Sequence, residues 1–276
     1  MSSSISSPRF SLLMPSYNAE TYIDEAITSG LSALGPLDEL IIQDGNSSDS
    51  TCEIVRRHAE RDPRILFEST EDQGQSDALN RALARASGDY VGWLNADDLV
   101  TSEGLAAIRS ELESRDYPMI GIGDHSIVRA SGSRIRLYET CALQRSKLYA
   151  RGCYVFSGSM FVRAATLRKI GGFSTKYNFC MDLDVMLTLV EQPDFTQAHV
   201  PVVIGSLRWH DQSKSGGQGT HFIAEGWRVR RAHRRTLSDT WLSAYALMIL
   251  SASTFTTRLR HSPIYLNLRG ERKTWT

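Results

Sequence analysis

"DYVGWLNADDL", residues 89–99, is the stretch that decides the fold. The apolar run YVGWL predicts a buried strand, and Asn95, Asp97 and Asp98 follow where the chain leaves the sheet. A buried strand that ends in two carboxylates predicts a ligand site at the edge of a sheet. The alternative is that Asp97 or Asp98 only caps the next helix, since Asp is favoured in turns and at helix starts.

The same alternation of an apolar strand with a helical pattern occurs four times between Arg9 and Ser114. Strands are predicted in RFSLLMP, DELIIQD, RILFEST and DYVGWLN, and helices are predicted to begin at Glu20, Ser50, Gln75 and Ser102. Strands this apolar predict a parallel sheet covered on both faces, a doubly wound α/β domain. Ligands bind beyond the carboxyl ends of such strands. The polar residues expected at that edge are Ser16, Tyr17, Asn18, Asp44, Gly45, Asn46, Glu71, Asp72, Asn95, Asp97 and Asp98.

The pattern changes after Ser114. The segments MIGIGDHSIVR and SRIRLYE predict antiparallel strands joined by an ASGS turn, and QAHVPVVIGSLRWH predicts a further strand pair. A basic helical segment and an uncharged segment close the chain. We therefore expect a disordered leader at residues 1–8, one large domain at 9–218 and C-terminal helices at 219–276.

The overall composition excludes few classes of protein, but the charge is unevenly distributed along the chain. The 276 residues are 41% hydrophobic and 22% charged, as in ordinary globular proteins, and the formal net charge is zero. The part from Gly226 onward carries ten Lys or Arg against two acidic residues. The four cysteines include no CxxC pair, and the serine-rich start lacks the pattern of a signal peptide. We therefore expect a cytoplasmic protein with reduced thiols.

Two other classes of α/β enzyme are excluded by the loop after the first strand. A dinucleotide oxidoreductase would carry GxGxxG there, and a sugar nucleotidyltransferase would carry a glycine-rich basic loop. The sequence at that point is MPSYNAETY, which contains no glycine. Neither class fits this chain.

Four ordered segments resemble the family 2 glycosyltransferases of the GT-A fold: SLLMPSYNAETYIDEAITS, ELIIQDGNSSDST, DQGQSDALNRALARASGDYVGWLNADD and MDLDVMLTLV. The resemblance covers Phe10 to Ser215. It implies a doubly wound, mostly parallel sheet with a small antiparallel acceptor-side part, with a donor half at 9–115 and an acceptor half at 116–218. It also implies inverting, metal-dependent transfer of a sugar from a nucleotide-diphosphate sugar, a UDP-sugar, to a hydroxyl of a glycan or lipid-linked acceptor.

The resemblance places NADD at the family's DxD motif, whose carboxylates hold a Mn²⁺ or Mg²⁺ ion on the donor diphosphate. Such ions prefer oxygen ligands and substrate phosphates. Asn95 replaces the first Asp, so Asp97 and Asp98 are the expected ligands and metal affinity is expected to be weaker. The Asn95 amide is expected to bond to the ribose or phosphate of the donor, and Ala96 and Asp97 are also expected to touch the donor. His210 matches a C-terminal His that reaches the metal or diphosphate, although a lone His after a strand is more often structural.

The remaining donor contacts are also implied by the resemblance. Pro15 and Tyr17 lie in PSYN, where the family aromatic packs on the nucleotide base, and Asp44 matches an acid that accepts a hydrogen bond from uracil. Asp77 is expected near the nucleoside or sugar, and Lys214 is expected to place its charge on the diphosphate. Four of these residues have a structural alternative. Tyr17 could be a tyrosine at the rim, and Asp44 could form an Asx turn. Asp77 could interact with the helix dipole, and Lys214 could be a solvated surface charge.

Asp182 is the expected catalytic base because it aligns with the Asp of the family's ED motif, with Met181 in place of Glu. A helix N-cap is the alternative role. Asp184 would point about 200° away on a helix, so the two carboxylates cannot share one task. The replacements at Asn95 and Met181 leave open a catalytically weak scaffold or a nucleotide-sugar binding protein.

The C-terminal part combines a basic and an apolar segment. The basic residues are Arg228, Arg230, Arg231, Arg234 and Arg235, and the apolar ones are Trp241, Leu242, Tyr245, Leu247, Met248, Ile249 and Leu250. This combination predicts a peripheral protein on the anionic inner face of a cell membrane. The alternatives are packing on the α/β domain or a homodimer through these helices. Nucleic acid is not an expected partner.

Overall fold

The computed structural model of this chain describes residues 7–210, 213 and 219–260, and of residues 219, 220 and 249–260 it describes the backbone alone. Most of the predicted leader lies outside these residues, and so does Lys214. Within them the chain forms one mixed sheet between two apolar layers. The α/β fold class predicted from the sequence is confirmed.

The sheet is parallel in its first half and mixed in its second. The strands in the described residues are β1 (Phe10–Ser16), β2 (Glu39–Asp44), β3 (Ile65–Ser69), β4 (Tyr90–Trp93), β5 (Leu99–Val100), β6 (Ile120–Arg129), β7 (Arg134–Tyr138), β8 (Met160–Arg163) and β9 (Gln197–Trp209). Their order is β3-β2-β1-β4-β8-β6-β9-β5, with β7 paired to β6. The pairs among β1 to β4 are parallel, whereas β8 is antiparallel to β4 and β6, and β7 is antiparallel to β6.

The helices of the first half follow the predicted alternation. The helices in the described residues are α1 (Ile23–Ala33), α2 (Thr51–Ala59), α3 (Gln75–Arg85), α4 (Ser102–Ser114), α5 (Arg145–Arg151), α6 (Ala164–Lys169), α7 (Met181–Val190), α8 (Gly219–Ala232) and α9 (Leu237–Arg260). The predicted starts at Gln75 and Ser102 are correct, and Ser50 is the residue before α2. The predicted start at Glu20 is wrong by three residues.

Side chains of the loop after β2 hold the segment between β1 and α1. Backbone N–H groups of this segment donate to them: Asn18 to Ser47 Oγ (2.8 Å), Ala19 to Thr51 Oγ1 (2.7 Å) and Glu20 to Asp49 Oδ2 (3.1 Å). N–H groups ahead of a helix have no acceptor within the helix, so these side chains satisfy them. The segment NSSDST therefore fixes the loop that follows β1.

The predicted strand pair in QAHVPVVIGSLRWH is wrong, because these residues form the single strand β9. Its parallel pairing with β6 shifts register on both sides of Asp124. Pro201 lies in the skipped part of β9, where a residue without an N–H group is tolerated. With this bulge a single strand pairs along β6 and also with the edge strand β5, which follows the turn at residues 95–98.

Both faces of the central strands are buried. Leu13 of β1 packs in one apolar layer, and Phe10, Leu12 and Met14 pack in the other. Gly92 in the middle of β4 has a packing reason, because a Cβ there would lie 2.7 Å from the ring of Phe161.

The C-terminal helices α8 and α9 contact α5 and α7 through charged groups. Arg145 pairs with Asp239 of α9 and with Glu191 at the end of α7 (3.1 Å). His233 contacts Asp184 (2.9 Å) and Glu191 (3.2 Å). Burial alone would lower the pKa of His233, but these two carboxylates outweigh it and raise the pKa above its ordinary value. None of the helices among the described residues is long and apolar enough to cross a membrane.

The raised pKa of His233 predicts a pH-dependent contribution to stability. That contribution is complete below the pKa of His in the unfolded chain, about 6.5, and is lost as pH rises through the higher folded-state pKa. His233→Gln should therefore reduce the free energy of unfolding more at pH 6 than at pH 9, measured by urea denaturation. His58→Gln is the matched control, because its partner Asp24 has a largely exposed side chain. An equal loss at both pH values for His233→Gln would contradict the assignment.

Candidate functional site

A cavity of about 800 Å³ opens at the carboxyl ends of the parallel strands. This volume suits a small-molecule ligand, for which pockets of about 300–1,000 Å³ are usual. The strand order reverses between β1 and β4, which is where open α/β sheets bind ligands. As the sequence predicts, the polar strand ends meet here. The lining residues include Pro15, Ser16, Tyr17, Asn18, Gly45, Asn46, Glu71, Asp72, Gln75, Asn95, Ala96, Asp97, Asp98, Arg208, His210 and Ser213.

Asp97 and His210 contact each other on the wall of this cavity. Asp97 Oδ2 lies 2.9 Å from His210 Nε2, and the ring of His210 packs 4.7 Å from that of Tyr22. The two residues are distant in sequence, and the antiparallel pairing of β5 with β9 brings them together. Asp97 is 31% exposed, so its carboxylate remains accessible from the cavity.

Asp98 lies behind this pair and is 2% exposed. Its Oδ1 accepts a hydrogen bond from the Arg208 backbone N–H (2.9 Å), and its Oδ2 accepts one from Asn95 Nδ2 (2.7 Å). Burial, with a further contribution from the charge of Asp97, raises the pKa of Asp98 to about 8. A cation near these two carboxylates would favour the ionised form of Asp98.

The orientation of Asn95 is dictated by its neighbours. The indole N–H of Trp93 can only donate, and it lies 2.7 Å from Asn95 Oδ1. The amide nitrogen therefore faces Asp98, and Asn95 Oδ1 also accepts from Gln75 (2.8 Å). An Asp at position 95 would place a third carboxylate beside Asp97 and Asp98, whereas Asn supplies a donor to one of them.

Arg208 is a site residue that the sequence analysis missed. Its side chain is 1% exposed and donates to three groups: Asp97 O (2.9 Å), Ala130 O (2.7 Å) and Glu25 Oε2 (2.7 Å). Its guanidinium also lies 5.0 Å from the ring centre of Tyr22. The alternation of side chains along a strand could have indicated this role. In LRWH, Arg208 and His210 lie two residues apart and therefore on the same face as each other. Arg208 fixes the turn that carries Asp97.

The predicted three-ligand metal set does not converge. Among the residues that the structure describes, no group of three or more His, Cys, Asp or Glu is arranged to hold a metal ion. Asp97 and His210 come together at the cavity, whereas both oxygens of Asp98 are used inside the chain. One carboxylate and one imidazole fit a divalent cation that takes its other ligands from substrate phosphates and water.

The charges on the described wall of the cavity favour a cation. The acidic residues are Glu71, Asp72, Asp97 and Asp98, and the basic residue among them is the buried Arg208. With Asp98 kept largely protonated by its raised pKa, the carboxylates of Glu71, Asp72 and Asp97 would still repel a free diphosphate in a partly enclosed site. A diphosphate neutralised by a divalent ion would not be repelled in this way.

The structure places Asp44 inside the protein and not on the described wall of the cavity. Its oxygens accept hydrogen bonds from several groups: Ser16 Oγ, Ser47 N and Oγ, Ser69 Oγ and Cys52 Sγ. Burial would raise the pKa of Asp44, but hydrogen bonds from Ser47, Ser69 and Cys52 outweigh it and lower the pKa. The neighbouring Gly45 and Asn46 line the cavity instead.

The other predicted donor residues divide into two groups. Pro15 and Ala96 line the cavity, and Tyr17 lies at its rim with 66% of its surface exposed. Asp77 is not among the described residues that line it. Its carboxylate accepts from the Gln73 N–H (3.0 Å) and from Arg81 (2.9 Å), and so holds the loop before α3.

Asp182 lies in the first turn of α7 and is half-buried. Its Oδ1 accepts from the Leu183 N–H (2.8 Å) and its carboxylate is hydrogen-bonded to Cys153. Burial, the largest effect, raises the pKa of Asp182. It is not among the described residues that line the cavity, but the loop before it reaches that region, because Ser76 Oγ donates to Tyr177 O (3.4 Å).

Comparison with known proteins extends the resemblance. The model of "Glycosyl transferase family 2" matches residues 11–170. An uncharacterized glycosyltransferase of Haemophilus influenzae is 31% identical over 134 residues, which cover 48% of this chain and 53% of that protein. The chain thus aligns with about half the length of that relative.

Two solved structures share the fold. TarS of S. aureus, in complex with UDP, has a TM-score of 0.64 at 17% identity over 96% of this chain and 75% of that one. The mannosyltransferase PcManGT of Pyrobaculum calidifontis, in complex with GDP-Man and Mn²⁺, has a TM-score of 0.61 at 20% identity over 96% of this chain and 79% of that one. These likenesses show the GT-A fold. Since the family match covers more than half of the sequence, the chain belongs to glycosyl transferase family 2.

Proposed function

We propose that this chain is an inverting glycosyltransferase that moves a sugar from a UDP-sugar to a hydroxyl of a glycan or lipid-linked acceptor by metal-assisted single displacement. The observation that carries the proposal is the Asp97–His210 pair on an acidic cavity of about 800 Å³. An acidic wall is unsuited to a bare diphosphate and suited to one that carries a cation. Solved proteins of the same fold bind UDP, or GDP-Man with Mn²⁺.

The nucleoside is proposed to lie between the Tyr17 ring and the end of β2. Tyr17 is exposed at the rim, where it can stack on a base, and Pro15 lines the cavity next to it. Gly45 and Asn46 face the same space. Asp44 and Asp77 are proposed to act by shaping the two loops, since protein donors already occupy their carboxylates.

The diphosphate is proposed to lie against the turn at residues 95–98. Asp97 and His210 would hold a Mn²⁺ or Mg²⁺ ion, which when bound neutralises the charge of the departing diphosphate. Asp98 supports this pair from behind, and Asn95 and Arg208 hold Asp98 and the turn in place. Lys214, outside the described residues, is proposed to add a positive charge to the diphosphate.

Asp182 is proposed to accept the proton of the acceptor hydroxyl. As that oxygen forms its bond to the anomeric carbon, the bond from this carbon to the diphosphate breaks on the opposite side, which inverts the configuration. A base works best when its pKa is near the working pH. Burial raises the pKa of Asp182 in that direction.

The C-terminal helices are proposed to meet an anionic membrane at the inner face of the cell. Four exposed apolar residues of α9 lie at spacings that share one helix face: Leu237 (83%), Trp241 (77%), Tyr245 (51%) and Met248 (61%). The exposed Arg231 and Arg234 lie at the end of α8 and in the turn before α9. Arg230 is not part of the predicted basic surface, because it is buried and donates a hydrogen bond to Leu148 O (3.3 Å).

Removal of Asp97 should abolish the gain that Mn²⁺ gives to UDP binding. Asp97→Asn is expected to weaken Mn²⁺-dependent UDP affinity by roughly tenfold or more, measured by calorimetry with and without Mn²⁺. Asp89→Asn is the matched control, because Asp89 precedes β4 at the end opposite the turn at residues 95–98 and accepts a hydrogen bond from the Arg9 N–H. If UDP binds Asp97→Asn with the same Mn²⁺ dependence as the wild type, the metal assignment is wrong.

Replacement of Asp182 should slow the catalytic step and leave the affinity for the donor unchanged. Asp182→Asn is expected to slow Mn²⁺-supported hydrolysis of the UDP-sugar by roughly 10²- to 10⁴-fold, the usual effect of losing a general base, while the UDP Kd is unchanged. Asp184→Asn is the control on the same helix, since it contacts His233. Wild-type turnover in Asp182→Asn would show that the base lies elsewhere.

The exposed face of α9 should bind lipid. The intact chain is expected to float with phosphatidylglycerol-containing liposomes at low salt, because basic residues near anionic lipid contribute about 1 kcal/mol each. Trp241→Glu should lose flotation, whereas Leu37→Glu, at a similarly exposed apolar residue of the first domain half (76%), should keep it. A protein that ignores these liposomes at every salt concentration would leave self-association or packing as the role of this face.

A further inference from the structure

A buried carboxylate from the C-terminal helices faces the segment that precedes Asp182. Glu225 of α8 is 7% exposed. It accepts hydrogen bonds from three consecutive backbone N–H groups: Asn178 (3.0 Å), Phe179 (2.6 Å) and Cys180 (2.7 Å). A carboxylate that accepts several backbone N–H groups at short distance makes a strong, directional contact, because its charge strengthens each bond.

These N–H groups lie where α7 begins. Cys180 is the residue directly before the helix, so the negative charge of Glu225 also meets the positive end of its dipole. Side chains add to the contact: the Phe179 ring stacks on His221 (5.3 Å) and packs edge-on against Phe222 (5.1 Å). The start of α7 is therefore fixed from the side of α8.

The same helix is connected to the donor cavity through the chain. His210, which contacts Asp97, is the last residue of the continuously described segment after β9, and α8 begins at Gly219. Helix α8, which holds the start of α7, thus begins nine residues after His210 of the candidate metal pair. A displacement of α8 would move the first turn of α7, which carries Asp182.

We propose that Glu225 is a positioning residue for the transfer reaction: by holding the backbone of residues 178–180 it sets the place of Asp182 relative to the donor. This inference rests on the proposed role of Asp182 as the base. Placement of a reacting group matters at this scale, since a displacement of about 1 Å can cost roughly 100-fold in rate.

The charge of Glu225 also affects the base electrostatically. Among the described residues, the titratable groups that interact with Asp182 are Cys153, Cys180 and Glu225, and Arg230 interacts with the two cysteines. Burial is the main cause of the raised pKa of Asp182, and the negative charge of Glu225 raises the pKa further. Removal of that charge should lower the pKa of Asp182 and move the acidic limb of the pH–rate profile to lower pH.

The test is Glu225→Gln in the full chain, assayed by Mn²⁺-supported hydrolysis of a UDP-sugar and by UDP binding. The amide keeps the shape but offers one acceptor oxygen for three donors. We expect kcat to fall by roughly 10- to 100-fold, the UDP Kd to stay unchanged and the acidic limb to shift to lower pH. Glu191→Gln is the matched control: Glu191 is also a buried carboxylate that anchors the C-terminal helices, but at the other end of α7.

The outcomes separate a positioning role from a structural one. If Glu225→Gln loses no more kcat than Glu191→Gln and keeps the wild-type acidic limb, the inference is wrong. Should Glu225→Gln fail to fold, Glu225→Asp keeps the charge and withdraws the carboxylate, so kcat should fall with the limb unchanged; wild-type kcat there would also overturn the inference. Asp182→Asn in the same assay tests the proposed base independently.

Discussion

The buried guanidinium of Arg208 holds the two halves of the sheet together at the candidate site. It belongs to β9 in the mixed half of the sheet, yet it donates to the carbonyl of Asp97, in the turn that follows β4 of the parallel half. Its own backbone N–H donates to Asp98 in the same turn. The guanidinium is 1% exposed, and a buried charge is costly unless it is hydrogen-bonded, so these contacts are needed where it lies. The position of Asp97 beside His210 therefore depends on a contact between segments that lie more than 100 residues apart.

The charges around the cavity are suited to a diphosphate that carries a cation. Glu71, Asp72 and Asp97 on the cavity wall oppose a bare diphosphate. Asp98, whose pKa burial raises to about 8, lies behind Asp97 and next to the buried Arg208. Asn95, in place of a third carboxylate in this turn, donates to Asp98 and is oriented by the indole of Trp93. Asn95 in place of the first Asp of the family's DxD motif thus removes one potential metal ligand, and it adds a hydrogen bond to Asp98. What remains at the cavity is one carboxylate and one imidazole, in contact with each other.

The sequence predicts the scaffold well and the side-chain roles less well, for a physical reason. Strand and helix periodicity is local, so the parallel half, its carboxyl-end edge and the antiparallel hairpin of β6 and β7 follow from the pattern of apolar residues. The role of Asp44 depends on which hydroxyls reach it from β1, β3 and the next loop, and no local pattern contains that information. The same holds for Arg208, Glu225 and the bulge in β9, which arise from pairing between distant segments.

The central claim is that Asp97 and His210 together hold a divalent cation on the donor diphosphate. Pulsed electron paramagnetic resonance of Mn²⁺ bound with UDP tests it most directly, because a directly coordinated imidazole gives a nitrogen hyperfine coupling. We expect this coupling in the wild type and its loss in His210→Ala, with Mn²⁺ still bound through UDP. A Mn²⁺–UDP complex whose nitrogen coupling is absent from the wild type, or unchanged in His210→Ala, would contradict the account.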